Sequence, residues 1–224
     1  MKRSEINQFQ RAAVAFFDSH QFKLPGFAFW TPETWAEKGI EVDEIRHCHL
    51  GWDLTDFGSG DFDAVGLLLF TVRNGSVHDG ENKKSYAEKI MIVMEGQVTP
   101  WHYHSMKMED IINRGGGDLI IELCRTDRQG KLVEEKVRIS IDGRRVELEP
   151  RAQITLKPGE SVTLQSGLAH QFYGRGGMVL VGEVSSVNDD ATDNYFIPPR
   201  GRFPAIDEDE PPLYLLCNDY PRAS

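Results

Sequence analysis

The stretch "VRISIDGRRVELEP" (137–150) alternates apolar and polar residues on both sides of Asp142-Gly143. An Asp-Gly pair accepts the positive φ angles of a two-residue hairpin turn, so the pattern reads as two antiparallel strands joined tightly. It is one of a series. "VGLLLFTVRNG" ends in Asn74-Gly75, "AEKIMIVMEGQ" ends in Glu95-Gly96, and "GDLIIELCRTDRQGKL" runs into a polar turn. "AQITLKPGESVTLQSG" and "GMVLVGEVSSV" complete the set. Strands recurring every 8–15 residues or so, with turn residues between them, specify an antiparallel sandwich or barrel.

The N-terminal part has a different period. Ser4 is placed to cap a helix in which Ile6, Phe9, Ala13, Phe16 and Phe17 recur at helical spacing, ending near "SHQF". "TPETWAEKG" reads as a short second helix, with Thr31 as cap, Pro32 at its first position and Gly39 in the left-handed position after it. The organisation expected is a helical extension over residues 1–60 packed on a barrel over 61–224. The Pro-rich tail containing "RFPAIDEDEPPLYLLCNDYP" would wrap the outside, and the whole would be one domain.

Composition narrows the function classes. A 224-residue chain with 40% hydrophobic residues can bury a core without disulfides, and its three cysteines, Cys48, Cys124 and Cys217, show no paired spacing. A reducing, cytoplasmic setting is expected. The formal charge of −10, without a basic stripe, argues against nucleic acid as a partner. No run of 18 apolar residues and no signal-peptide pattern occurs, so no membrane partner is expected.

Chemistry concentrates in "VTPWHYHSMKMEDIINRGGG" (98–117). Residues two apart on a strand share a face, so His102 and His104 project together, the spacing two imidazoles need to grip one ion. Lys107 and Glu109 share a face with each other, and a small shift at Ser105-Met106 brings it round to the histidines. His170 follows a tight turn at Gly167 in "LQSGLAHQFYG". A second His-x-His, His47-Cys48-His49, has no carboxylate or third histidine at a useful distance and reads as ordinary loop side chains. His20 and His78 read as a helix end and a turn.

Gly96, His102, His104, Glu109 and Gly116 match the first motif of the cupins, and Gly159, Gly167 and His170 follow the general shape of the second. Gln165 and Gly174 stand where that family has proline and asparagine. The resemblance covers about 96–174 and implies a cupin double-stranded β-helix (jelly-roll) barrel, all-β apart from the N-terminal extension. It also implies that His102, His104, Glu109 and His170 bind one divalent cation. A mixed N/O set suits Mn²⁺, Co²⁺, Fe²⁺, Ni²⁺ or Zn²⁺.

Across nearly the whole chain, "LPGFAFWTPETW", "LGWDLTDFGSGDF", "KMEDIINRGGG", "GEVSSVNDD" and "RFPAIDEDEPPLYLLCN" resemble the cupin-type D-lyxose isomerase family. Membership implies interconversion of D-lyxose and D-xylulose, often also of D-mannose and D-fructose, on Mn²⁺ or a similar ion in a homodimer. Lys107 beside a dication would have a lowered pKa and could move a proton. Glu183, a carboxylate on the apolar strand "VLVGEVSS", is the candidate base, its pKa expected to rise on burial. Lys89 within "EKIMIV", Asp190 (with Asp189) after the Glu183 strand, and Phe172 as an apolar wall are the candidate substrate contacts. The alternatives are a cupin dioxygenase or decarboxylase, and a non-catalytic sugar-binding module.

Overall fold

The computed structural model describes residues 1–77 and 82–221; His78 lies outside them. Three helices, α1 (Arg3–Ser19), α2 (Pro32–Ala36) and α3 (Asp43–His47), precede the strands. The first five strands are β1 (Gly51–Thr55), β2 (Leu67–Arg73), β3 (Tyr86–Val93), β4 (Thr99–Tyr103) and β5 (Glu109–Thr126). After these come β6 (Leu132–Val133), β7 (Val137–Ile141), β8 (Arg144–Leu148), β9 (Gln153–Leu156), β10 (Ser161–Leu164), β11 (Leu168–Ser186) and β12 (Tyr195–Phe196). Every pairing between these strands is antiparallel.

Two long strands form the spine. β5 and β11 run antiparallel along their whole length, from Leu168 opposite Arg125 to Ser185 opposite Glu109. One half of β11 takes β3 as its other neighbour, and the opposite half takes β4. The bend between the halves falls where the register shifts, at Arg175/Val179 and Leu180/Val181. There the Gly-Gly-Gly run of β5 meets Gly176 and Gly177 of β11. Gly116 has φ 89°, and a Cβ on it would lie 2.1 Å from the Met178 carbonyl oxygen. The glycines are thus what lets the two backbones turn this corner in contact. "INRGGG" and "GRGG" therefore lie inside continuous strands, because a glycine bulge re-aims a strand without ending it.

The continuous apolar run in β2 follows from burial on both faces. Leu67 and Leu69 enter the barrel core with Met91, Val93, Ile111 and Val181. Leu68 and Phe70 face the other way, joining Ile90, Ile92 and Leu180 beneath Ile6, Ala13 and Phe17 of α1. The N-terminal helix is thus the outer layer of the sheet. β1 lies inside residues 1–60 and pairs with β2, so that segment is not wholly helical. Its strand character was masked by Trp52, Asp53 and Leu54, all buried, which leave no alternation to read.

Two capping expectations need correction. α1 starts before Ser4, with the Lys2 N–H donating to Glu5. Ser4 gives its N–H and hydroxyl to Asp209 of the tail, at 2.9 and 2.7 Å. Glu208 pairs with the buried Arg3, and Glu210 accepts from Asn7. The acidic run "DEDE" therefore sits against the positive end of the helix dipole, where carboxylates are favoured. Thr31 does cap α2, which has Pro32 in its first turn, but that helix ends at Ala36 and Gly39 has an ordinary negative φ of −89°.

Gly116→Ala should cost about 3 kcal/mol or more, combining left-handed strain with a backbone clash. Gly143→Ala, at φ 79° but with nothing near a new Cβ, should cost about 1 kcal/mol. Urea unfolding of the two variants checks the ordering.

Candidate active site

β4 and β11 bring the histidines together. His102 stands directly opposite His170 in the strand register, their ring centroids 4.1 Å apart. His104 lies one residue past β4, where its carbonyl accepts from the Gly167 N–H. The three rings place ligand atoms within 4.8 Å of one another, and all three are buried. Each Nδ1 lies against a backbone carbonyl, of Pro100 (2.8 Å), Asp193 and Leu168 (3.2 Å) respectively. A carbonyl only accepts, so each Nδ1 carries the proton and each Nε2 keeps its lone pair.

Glu109 opens β5 beside this group. Its Oε1 lies 3.2 Å from His170 Nε2 and 3.7 Å from His104 Nε2. Buried Oε1 and His170 Nε2 both lack a hydrogen-bond partner. Two acceptors facing each other in a buried site call for a cation between them. This donor set fits a divalent ion, with His102, His104, His170 and Glu109 as its holders.

Lys107 is not on a strand, as sequence spacing suggested. It lies in the turn after His104, held by Asp193, whose carboxylate accepts from the backbone N–H groups of Ser105, Met106 and Lys107. The turn still delivers the ammonium inward, 2.8 Å from both Glu109 Oε2 and Glu183 Oε1. Glu183 shares the inward face of β11 with Val179 and Val181, on the same strand that carries His170. Lys89 points into the barrel from β3, 3.6 Å from Glu183 and 3.7 Å from Asp190. Asp190 in turn pairs with Arg202, and Arg202 with Asp53 at 2.6 Å.

The rise expected for Glu183 on burial is overturned by its partners, while the lowering expected of Lys107 belongs to the cation-loaded site. Burial pulls Lys107 down, but Glu109 and Glu183 outweigh it and raise its pKa above the ordinary lysine value. Burial pushes Glu183 up, yet Lys107 and Lys89 hold it below the usual carboxylate range. Glu109 is likewise depressed, burial being outweighed by Lys107 and the histidines. Burial lowers all three histidines, His104 to about 4. The site is built from neutral imidazoles, ionised carboxylates and a charged lysine.

Phe172 is buried, stacked parallel to His170 with ring centroids 6.3 Å apart, and walls the cavity. That cavity holds about 30 Å³ and includes Lys89, Glu183, Asp190 and Arg202 in its lining. Asp190 also borders an outer pocket of about 690 Å³. His47, Cys48 and His49 line this outer pocket and join no three-ligand group among the described residues. Asp189 is turned into its own loop, accepting from Ala191 and Thr192.

Sequence reasoning missed Asp193, Arg202, Asp53, Asn74 and Asn188. All five lie far in sequence from residues they serve, and "NDDATDN" carries no local pattern beyond that of a polar loop. Only the placement of two cations near Glu183 could have suggested that further acceptors must converge there.

An antiparallel barrel carrying a buried three-histidine group with an adjoining carboxylate defines a cupin. The D-lyxose isomerase family model matches residues 1–220, and the chain belongs to that family. It is 48% identical over 223 residues to a D-lyxose/D-mannose isomerase of Escherichia coli O157:H7, covering 98% of each chain. It is 46% identical to a D-lyxose/D-mannose isomerase of Serratia proteamaculans, covering 99% of each. The L-ribose isomerase of Geodermatophilus obscurus shares the fold at TM-score 0.62 and 15% identity, over 92% of this chain and 98% of that one. Family membership makes the chain a sugar isomerase. No described helix is long and apolar enough to cross a membrane.

The metal-free protein should lose stability as pH falls below about 6.5. The three histidines are held neutral when folded but bind protons when unfolded, so the unfolded state gains as acid is added. Each contributes a slope of roughly 1.4 kcal/mol per pH unit until its own folded pKa is reached, near 4 for His104. Denaturant midpoints measured between pH 7 and 4 test this.

Proposed function

We propose that the protein interconverts D-lyxose and D-xylulose, and also D-mannose and D-fructose, by proton transfer through a cis-enediol. The observation that carries this reading is the buried Glu109–Lys107–Glu183 array beside three acceptor imidazoles. It offers a cation holder, a proton donor and a carboxylate base within one small cavity. The names of the two close relatives support the choice of sugars.

A divalent ion, Mn²⁺ in this reading, held by His102, His104, His170 and Glu109, would polarise the sugar carbonyl and stabilise the negative charge that develops on it. Glu183, ionised at neutral pH, takes the proton from C2 of the aldose and returns it to C1. Lys107, protonated, gives a proton to O1 as the enediol forms and recovers one from O2 as the ketose forms. A dication nearby would pull its pKa back down, bringing donor and recipient closer in strength. Phe172 and the apolar barrel core exclude water from the intermediate. Asp190 borders both the inner cavity and the outer pocket, and Lys89 lines the inner one beside it, where the two would meet the hydroxyls remote from the reacting carbons.

Four carboxyl side chains, Glu109, Glu183, Asp190 and Asp53, are paired with three basic ones, Lys107, Lys89 and Arg202. The excess of acidic groups favours an added cation and disfavours the site's remaining without one. Three buried thiols without disulfides support a reducing cytoplasmic setting. The homodimer of this reading would use exposed apolar side chains, Tyr86 on β3, Val184 on β11 and Met108 just before β5, to meet a second copy.

Removal of divalent ions by a chelator is expected to abolish ketose formation, and Mn²⁺ to restore it. Conversion that survives full metal removal would refute the metal role. A screen of the Mn²⁺-loaded protein against pentoses and hexoses, reading ketose, tests the substrate class. Glu183→Gln should lower kcat by about 10²–10⁴-fold, and Lys107→Ala by at least about a hundredfold, because each removes one acid–base group. Single-turnover assays separate these losses from changes in sugar affinity.

A further inference from the structure

Asn188 lies two residues past the end of β11, in the "VNDD" segment, and its side-chain oxygen is shared by two buried ammonium groups. Lys89 Nζ donates to Oδ1 at 2.7 Å and Lys107 Nζ at 3.2 Å. The same two lysines flank Glu183 Oε1, at 3.6 and 2.8 Å. Two cations and two oxygens thus form a closed four-membered array, in which one oxygen is the candidate base and the other is a neutral amide.

The amide has a definite electrostatic task. Lys89 and Lys107 repel each other, and Glu183 Oε1 lies at hydrogen-bond distance from Lys107 but 3.6 Å from Lys89. Asn188 supplies the second acceptor without adding a charge that would compete for the lysines. Of the three oxygens near Lys89 Nζ, Oδ1 of Asn188 is the nearest, with Glu183 and Asp190 at 3.6 and 3.7 Å. Without it Lys89 is free to close on Glu183 or to swing toward Asp190. Either movement changes the charge felt by the base.

Asn188 is itself fixed by a second asparagine, which directly follows β2, two strands away from β11 in the sheet. Asn74 Oδ1 accepts from the Asn188 N–H at 3.0 Å, and Asn74 Nδ2 donates to the Asn188 carbonyl at 2.9 Å. The second amide proton of Asn74 goes to the Cys48 carbonyl at 3.2 Å. This reciprocal pair mimics a strand ladder rung between segments 114 residues apart. Asn74 is buried, so its polar groups cannot fall back on water if the partner leaves. The Asn74-Gly75 pair, which reads from sequence as a hairpin turn, anchors the far end of the site: Gly75 has no positive φ, and the amide of Asn74 is fully engaged.

We infer that Asn188, locked in place by Asn74, is a positioning residue for the acid–base pair: it holds Lys89 and Lys107 on either side of Glu183 in the orientation proton transfer requires. This rests on the isomerase reading for its consequence in turnover, but the clamp itself is a claim about two lysines. Misplacement of a reacting group by about 1 Å can cost 10²-fold in rate. Asn188→Ala is therefore expected to lower kcat by about 10²-fold with little change in KM, since the groups holding the metal and walling the cavity remain. Asn74→Ala should produce a loss of the same kind, and the double variant should be no slower than Asn188→Ala alone, because both act through one element. Asn188→Asp should fail to rescue, as a carboxylate there draws both lysines away from Glu183.

The measurement independent of turnover is ¹⁵N NMR of the lysine side-chain ammonium groups in the full-length, Mg²⁺- or Zn²⁺-loaded protein, which avoids paramagnetic broadening. Wild type should give two protected, slowly exchanging signals assignable by Lys89→Met and Lys107→Met, and Asn188→Ala and Asn74→Ala should each broaden or lose the Lys89 signal. Ammonium signals unchanged in both asparagine variants overturn the clamp, whatever the activity. An intact clamp in a wild-type protein that converts no aldose overturns the isomerase reading and leaves the lysine geometry standing. Additive losses of kcat in the double variant, or a loss of kcat explained by a fallen Tm, identify a merely structural role and also refute the inference.

Discussion

His170 Nε2 and Glu109 Oε1 face each other across 3.2 Å inside the barrel, and neither has a hydrogen to offer. Both atoms are buried and unpartnered. In water such groups would simply be solvated; here burial removes that option and leaves a cation as the natural completion. The arrangement is held by neighbours that allow little relaxation. The imidazoles are pinned through Nδ1 to backbone carbonyls, and the other Glu109 oxygen is occupied by Lys107. Relief by rotation of one side chain would break a bond elsewhere.

From Glu109 the charges alternate outward: Lys107, Glu183, Lys89, Asp190, Arg202, Asp53. Buried ion pairs are stable only when each member is matched, and loss of one leaves its neighbour uncompensated. The series therefore does more than shift individual protonation states. It links Glu109 to the wall of the outer pocket, and Lys107 and Lys89 hold Glu183 below the usual carboxylate range. Asn188 is the one neutral acceptor among them, and it sits where a further charge would divert both lysines.

The scaffold that makes this possible is the β5–β11 pair. Each strand serves both halves of the barrel, so His170 and Glu183 sit on one strand while Glu109 opens the other. Glycines at the corner permit the bend, and α1 seals the outer face of the sheet. The C-terminal tail is part of the same construction. It was expected to wrap the outside, yet it caps α1 through Asp209, fixes the turn of Lys107 through Asp193, and inserts Arg202 into the charge series.

The barrel, the helical start and the shared face of His102 and His104 were legible in local spacing: alternation at period two, His-x-His on a strand, glycine at a turn; Glu109 and His170 joined them as candidate holders through the resemblance to the cupin motifs. Lys107 and Glu183 could be singled out as well, since a lysine near metal-type ligands and a carboxylate in an apolar strand are both conspicuous. Their charge states could not be read. Protonation follows from which groups face each other across the cavity, and those partners come from β3, β5, β11 and the tail. For the same reason Asp193, Arg202, Asn74 and Asn188 were invisible. Sequence spacing determines what a segment can present on its own face, whereas the pairing of distant segments decides what that face meets, and electrostatic energy depends on distance in space and not along the chain.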